Sequence, residues 1–121
     1  MRTRPDKLTK INLPSGQITV DGHGYLTDPN LWTPDFAEHV ATQENIYLTD
    51  KHYRIIQFIR NSLDENGVIP DARFALKFIG KPDGLTKSQA KDALFELFPY
   101  GYVKQAIKIA GMKQPRAWST G

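Results

Sequence analysis

Short amphipathic segments separated by strong start and stop signals for helices fill the chain from Thr33 onward. The clearest segment begins at a capping box, Thr86-Lys-Ser-Gln89, in which each end residue can bind the backbone N–H of the other. An apolar stripe at helical spacing must be buried against neighbouring elements, so the pattern predicts a bundle of short helices. The stripe of this segment consists of Ala90, Ala93, Leu94, Leu97 and Phe98.

Two helices are predicted upstream of this segment. Thr33, which precedes Pro34, and Thr49 are of the residue type preferred at helix N-caps. Trp32 lies just before the first cap and is expected to pack in the core. The second helix is predicted to end at Asn66-Gly67. Its side chains expected on the solvated face or at the boundary of that face are Lys51, His52, Arg54 and Arg60.

Two further helices and a hairpin complete the prediction. A third helix runs from Ala72 to about Ile79, with Phe74, Ala75 and Phe78 facing inward, and a fifth runs from about Tyr102 to Ala110 and stops at Gly111. Residues 11–13 and 18–20 flank the turn pair Ser15-Gly16 and predict two antiparallel strands. The predicted fold class is mainly α with a small N-terminal antiparallel β-hairpin, an α+β fold with about five helices in an orthogonal bundle.

Composition limits the classes of protein to which the chain can belong. Of its 121 residues 40% are hydrophobic, which is enough for one compact domain. Its apolar runs are far shorter than the roughly 20 residues that span a bilayer, and no apolar signal core follows its basic start, so we expect a cytoplasmic protein that does not enter membranes. The chain has no cysteine, and His23, His39 and His52 lack the spacing of a zinc site. We expect neither a metal nor another cofactor.

Both ends of the chain are basic. Residues 1–10 hold Arg2, Arg4, Lys7 and Lys10 against Asp6, and the chain after Glu96 holds four cations and no acid. Such ends attract an acidic protein surface or nucleic-acid phosphate. For residues 1–10 a solvated and partly disordered tail is the alternative. We therefore divide the chain into a basic N-terminal tail at 1–10, a domain at 11–111 and a C-terminal arm at 112–121.

Four phrases carry a family resemblance. They are ITVDGHGYLTDPNLW, YLTDKHYRIIQFIR, GVIPDARF and LFPYGYVKQAIKIAGMKQP, and they follow one another in this order. In their order and spacing they resemble the DsrC/TusE family of sulfur-relay proteins, which includes the gamma subunit of dissimilatory sulfite reductase. The resemblance covers roughly Ile18 to Trp118 and implies a DsrC-like fold for the central domain.

The resemblance also implies where sulfur-carrying members have their cysteines. Many have one at the position of Ile107, and the persulfide-bearing cysteine near the end of the arm corresponds to Trp118. Sulfur transfer needs a thiolate, which neither isoleucine nor tryptophan can supply. The resemblance therefore implies a regulatory or accessory protein of sulfur metabolism that is not an enzyme.

Our leading hypothesis is a protein that binds partners of sulfur metabolism, such as a sulfite reductase-like or sulfur-relay complex, through the fifth helix and the arm. The residues expected to bind are Lys104, Lys108, Lys113, Arg116 and Trp118. For Trp118, packing of the arm on its own domain is the alternative. A second hypothesis is a DNA-binding regulator, since short capped helices loosely resemble a helix-turn-helix. A third, an unrecognised enzyme, lacks support because Ser62, Ser88 and Ser119 show no neighbouring pattern of histidine and acid.

Overall fold

An antiparallel hairpin opens the computed structural model, which describes residues 8–114. Strand β1 (Thr9–Leu13) pairs with β2 (Gly16–Val20), so that Thr9 lies opposite Val20 and Leu13 opposite Gly16. Side chains alternate along β2, where Ile18 and Val20 are buried and face the core. The predicted hairpin is thus confirmed. Thr9 and Lys10, which the sequence assigned to the N-terminal tail, lie in the paired part of β1.

Helices make up most of the described chain after the hairpin. They are α1 (Pro34–Gln43), α2 (Asp50–Asn66), α3 (Ala72–Gly80), α4 (Lys87–Leu97) and α5 (Tyr102–Ile107), the last of which is wound as a π-helix. A short 3-10 turn at Pro29–Leu31 precedes α1. The predicted fold class, mainly α with one small hairpin and about five helices, is confirmed within residues 8–114.

Side-chain caps fix the helix ends where the sequence predicted them. Thr86 Oγ1 accepts the N–H of Gln89 at 3.1 Å, and Gln89 Oε1 accepts the N–H of Thr86 at 2.9 Å. Thr33 Oγ1 accepts the N–H of Phe36 at 3.4 Å before α1. Gly67 closes α2 with φ 70°, and its N–H binds the carbonyl of Leu63. These bonds satisfy backbone groups that a helix leaves without partners at its ends.

The core contains side chains from all five helices and from β2 of the hairpin. The predicted stripe of α4 contributes Leu94 and Phe98, and α2 contributes the isoleucines of its apolar face. Several large side chains of the core have no solvent exposure, and five of them come from different parts of the chain. They are Phe36, Ile59, Phe98, Tyr102 and Met112.

The predicted inward face of α3 is wrong for one residue. Phe74 has 53% of its surface exposed, whereas Ala75 is fully buried and Ile79, one turn later, packs against the core. The helix is therefore rotated so that Ala75 and Ile79, four positions apart, face the core, and Phe74 lies outside this face. Phe78 is half-buried and stacks on Phe58 of α2, with ring centroids 4.5 Å apart.

Among residues 8–114, no helix combines the length and the apolar character needed to cross a bilayer.

A hydrogen bond of Tyr102 joins α5 to the segment before α3, and we expect it to contribute to the free energy of unfolding. Its hydroxyl donates to the carbonyl of Pro70 at 2.6 Å in a buried environment, and burial raises the pKa of Tyr102. Tyr102→Phe leaves that carbonyl without a partner and should lower the free energy of unfolding by about 1–3 kcal/mol. Urea denaturation followed by circular dichroism measures the change.

The matched control is Tyr53→Phe. Tyr53 donates to Glu38 at 3.0 Å on the surface, where water can replace the bond. We expect a loss below about 0.5 kcal/mol for this variant. Equal losses in the two variants would contradict a special role for the buried bond.

Candidate functional site

A helical turn at residues 108–111 follows α5 and leads into the predicted arm. Gly111 has φ 79°, its N–H binds the carbonyl of Lys108 at 3.1 Å, and the N–H of Met112 binds the carbonyl of Ile107 at 3.3 Å. These two bonds form a Schellman motif, the common end of a helix at a glycine. Met112, the first residue of the predicted arm, is fully buried, whereas Lys113 is exposed.

Two side chains from upstream elements bind the last carbonyls of this turn. Trp32 Nε1–H donates to the carbonyl of Ile109 at 2.9 Å, and Arg60 Nη1–H donates to that of Ala110 at 2.7 Å. Helices leave their last carbonyls unpaired, and a cation beside them also complements the negative end of the helix dipole. We call Trp32, Arg60 and Gly111 the arm-root clamp.

Arg60 is the centre of this clamp, and the prediction that it lies on the solvated face of α2 is wrong. Its guanidinium carbon lies 4.6 Å from the ring centroid of Trp32, and Nη2–H donates to the carbonyl of Pro29 at 2.8 Å. Arg60 follows Ile59 at the border of the apolar face, from where a long side chain can cover apolar surface and bind with its head. Burial lowers the pKa of Arg60, and the nearby Asp64 raises it.

Trp32 meets the backbone of Gly111 so closely that no side chain fits there. A Cβ on Gly111 would lie 2.8 Å from Cβ and Cγ of Trp32 and closer still to Cδ1. Trp32 packs against the core as predicted, and its indole N–H adds a hydrogen bond that the sequence did not indicate. The glycine is thus required both by its positive φ and by the approach of the indole.

The predicted binding residues fall into different environments. Lys104 and Lys113 are exposed. Lys108 is half-buried, and its Nζ lies 5.3 Å from the ring centroid of Tyr25. Ile107, predicted at a family cysteine position, is fully buried in α5. Arg116 and Trp118 lie outside the described residues.

Tyr25 supports the position of Lys108 from the hairpin side. The Tyr25 hydroxyl donates to the carbonyl of Val103 at 3.0 Å, and burial raises the pKa of Tyr25 to about 12. Its ring therefore presents a fixed face to the ammonium group of Lys108, an arrangement that favours cation–π attraction.

Gln105 holds the turn that precedes α5, a role that sequence reasoning missed. It is buried, its Oε1 accepts the N–H of Tyr100 at 2.9 Å, and its Nε2–H donates to Glu44 Oε1 at 3.2 Å. On an α-helical wheel Gln105 falls opposite the apolar face formed by Val103, Ala106 and Ile107, so its burial could not be predicted from the pattern. Because buried polar groups need partners, its burial fits these two hydrogen bonds.

His52 is buried between α2 and α4, so its prediction as a surface or boundary residue is wrong. Nδ1 accepts the N–H of Thr49 at 3.0 Å, which assigns the proton to Nε2, and Nε2–H donates to the carbonyl of Leu97 at 2.9 Å. The ring also meets Phe98 edge-on at 5.2 Å. The signal was present in the sequence, since His52 occupies the third position after the Thr49 cap, where a capping box places its second partner.

The described part of the chain contains no candidate metal site. Within residues 8–114 no group of three or more histidines and carboxylates is arranged to hold an ion.

One hairpin and five short helices in residues 8–114 define a small, mainly helical α+β domain. The family model described as DsrC like protein matches residues 12–117, and the chain belongs to this family. The resemblance inferred from the four phrases is thereby confirmed.

Individual relatives agree with this assignment over most of their length. Sulfurtransferase TusE of Pectobacterium atrosepticum is 38% identical over 98 residues, covering 81% of this chain and 89% of that protein. The solution structure of Allochromatium vinosum DsrC has a TM-score of 0.78 and 36% identity, with 90% of this chain and 96% of that one covered. The oxidized gamma-subunit of the dissimilatory sulfite reductase from Archaeoglobus fulgidus has a TM-score of 0.76 and 27% identity, covering 88% and 96%.

The close contact in the clamp makes Gly111→Ala a sharp test. The variant combines the strain of an L-residue at positive φ with overlap on Trp32, and we expect a loss of about 3 kcal/mol or more in the free energy of unfolding. Gly67→Ala is the control, because Gly67 also has positive φ but a Cβ there would meet nothing within 4 Å. We expect only about 1 kcal/mol for the control. Similar losses in thermal or urea unfolding would argue against the clamp.

His52 should make stability depend on pH. Burial lowers the pKa of His52, while the hydrogen bond to Leu97 raises it, with a net decrease. The unfolded chain, with an ordinary histidine pKa of about 6.5, therefore binds more protons than the folded chain just below that pH. The stabilisation is fully present above about pH 6.5 and is lost as the pH falls through the folded pKa.

His52→Gln should flatten the decline of melting temperature between about pH 6.5 and 5, since glutamine can accept the Thr49 N–H as Gln89 does at Thr86 but does not titrate. His23→Gln is the control, because His23 is exposed. An unchanged slope in His52→Gln, or an equal flattening in His23→Gln, would disprove this assignment.

Proposed function

We propose that this chain is a non-catalytic member of the DsrC/TusE family that acts by binding partners of sulfur metabolism, in a regulatory or accessory role. The observation that carries the proposal is a complete family frame, matched over residues 12–117, in a chain with no cysteine. Persulfide transfer and disulfide exchange both begin at a thiolate. Without that group, recognition is the part of a relay protein's activity that this chain can retain.

The proposed positions of the two replaced cysteines are Ile107 and Trp118. Ile107 is fully buried in α5, which supports a packing role at the first position. An apolar side chain there stabilises the domain, whereas a thiol would need access to a second sulfur. Trp118 at the second position is of the residue type most often found at binding hot spots.

The proposed binding surface combines α5 with the arm. Lys104 and Lys113 are exposed, and Lys108, which lies between them in the sequence, has its Nζ over the Tyr25 ring. We assign Arg116 and Trp118 to the same surface from their positions in the sequence. The clamp supports this assignment, because fixing the turn after α5 reduces the ordering cost when the following residues bind. The proposed partner is a sulfite reductase-like or sulfur-relay complex, since one relative is described as a gamma-subunit of the dissimilatory sulfite reductase.

A DNA-binding regulator has no comparable support. Residues 81–86 connect α3 to α4, which is longer than the roughly 3–4-residue turn of a helix-turn-helix. Lys87 and Lys91 on α4 are accompanied by Asp92 and Glu96, so that helix carries no uniform positive charge.

A displacement assay tests the proposed function. A labelled cysteine-bearing DsrC protein is bound to dissimilatory sulfite reductase, and the unlabelled chain is titrated against the complex. We expect the full chain to displace the label, and the double variant Lys104→Glu/Lys113→Glu to do so about tenfold less well, because rim charges contribute to encounter and orientation. Lys10→Glu, an equal charge change on β1, should behave as the unaltered chain.

Removal of the arm provides the second comparison. The truncation is placed after Gln114, because Met112 is fully buried and a shorter chain would lose core packing. We expect the truncated chain to keep its melting temperature and to lose displacement. Equal displacement by both forms would show that the arm does not take part in binding. If the full chain displaces no label, the proposal that it shares this partner with the cysteine-bearing protein is refuted.

A further inference from the structure

An open groove lies along α3 and α4. Its lining residues fall between positions 73 and 90 and include none from α5 or the arm. The two helices approach at Gly80 and Ala90, where a Cβ on Gly80 would lie 3.4 Å from that of Ala90. Residues of both helices and of the loop at 81–86 line a groove of about 680 Å³ beside this contact. Leu76 and Leu85, both half-buried, form its apolar floor, and Phe74 also lines it.

The rim of this groove is uniformly basic. The residues that line it include Arg73, Lys77, Lys81 and Lys87, all exposed, and no carboxylate. One ion pair is present in residues 8–114, and it joins Arg73 to Asp71 at 2.9 Å. The three lysines of the rim therefore carry positive charge that no described carboxylate neutralises by contact.

Phe74 places an apolar anchor point among these cations. It has 53% of its surface exposed, and Lys77 Nζ lies 5.8 Å from its ring centroid. A large exposed aromatic side chain next to an apolar floor is typical of a surface that another molecule covers. Carboxylates on the rim with an apolar side chain between them would complement both features.

The chain's own ends do not have this chemistry. Residues 1–7 contain Arg2, Arg4 and Lys7 against the single acid Asp6, and residues 115–121 contain Arg116 and no acid. Like charges opposite the rim lysines would be repelled. Residues 1–7 and 115–121 therefore do not supply the complementary negative charge.

We propose that the groove between α3 and α4 binds an acidic amphipathic segment of a partner protein, with carboxylates on Lys77, Lys81 and Lys87 and an apolar side chain beside Phe74. This surface is separate from the one proposed for α5 and the arm. The aliphatic floor favours a protein segment over nucleic acid, because phosphates would contact the lysines and leave Leu76 and Leu85 uncovered.

The test uses the full chain and a synthetic helical peptide with leucine at i, i+3, i+4 and i+7 and glutamate at its other positions. Amide chemical shifts in ¹H–¹⁵N spectra locate binding, and fluorescence anisotropy measures affinity. We expect shifts at α3, α4 and residues 81–86, binding that weakens as salt is raised, and about tenfold weaker binding for Lys77→Glu/Lys87→Glu. Phe74→Ser should weaken binding while leaving its dependence on salt unchanged. Lys10→Glu is the matched control and should bind normally.

Several outcomes would refute binding of an acidic segment in the groove without affecting the proposal for α5. One is equal binding of the peptide by Lys77→Glu/Lys87→Glu and by Lys10→Glu. Another is equal binding of a peptide with lysine in place of glutamate. A third is the absence of chemical-shift changes at α3, α4 and residues 81–86. Stronger binding of a DNA duplex to the same residues would make the groove a phosphate surface. Sedimentation showing that the chain self-associates through these residues would identify a second copy as the occupant.

Discussion

Trp32 and Arg60 bind the carbonyls of Ile109 and Ala110 in the turn after α5, and the geometry of the C-terminal part of the domain depends on these two hydrogen bonds. Arg60 reaches Ala110 and Pro29 with separate N–H groups, so one guanidinium joins α2, the turn before α1 and the turn after α5. Hydrogen bonds from a charged donor are worth about 1.5–3 kcal/mol each. The side chain that makes them also covers the indole of Trp32, so a loss of Arg60 would remove packing as well as charge.

The clamp gains importance because α5 has little intrinsic stability. A π-helix of six residues, Tyr102–Ile107, is short and of a rare type, and isolated helices of that length do not persist in water. Its order therefore comes from tertiary contacts: burial of Tyr102, Ala106 and Ile107, and the bond from Tyr102 to Pro70. A member of this family without thiols still needs such order if its remaining task is to present a surface.

Sequence patterns predicted those parts of the structure that depend on local chemistry. The caps at Thr33 and Thr86, the hairpin and the stop at Gly111 each follow from residues close together in the chain. The errors at Phe74 and Arg60 arise from packing between elements, since a helical wheel gives the face of a residue but not the element opposite it. At His52 a local signal was present, because the third position after the Thr49 cap is that of the second partner of a capping box. For the arm, Arg116 and Trp118 lie outside the described residues, so their part in the site stays a prediction.

Three polar side chains bind the backbone before and after α5. His52 binds the carbonyl of Leu97, Gln105 binds the N–H of Tyr100, and Arg60 binds the carbonyl of Ala110. All three act on backbone groups that flank α5. Buried polar groups stabilise one arrangement only when every partner is in place, and they penalise alternatives in which a partner is missing. Polar residues at these places thus select a single orientation for α5, which an apolar core of equal volume would specify less strictly. A surface that must match a partner benefits from that selectivity, because orientation errors reduce productive encounters even where the total stability is unchanged.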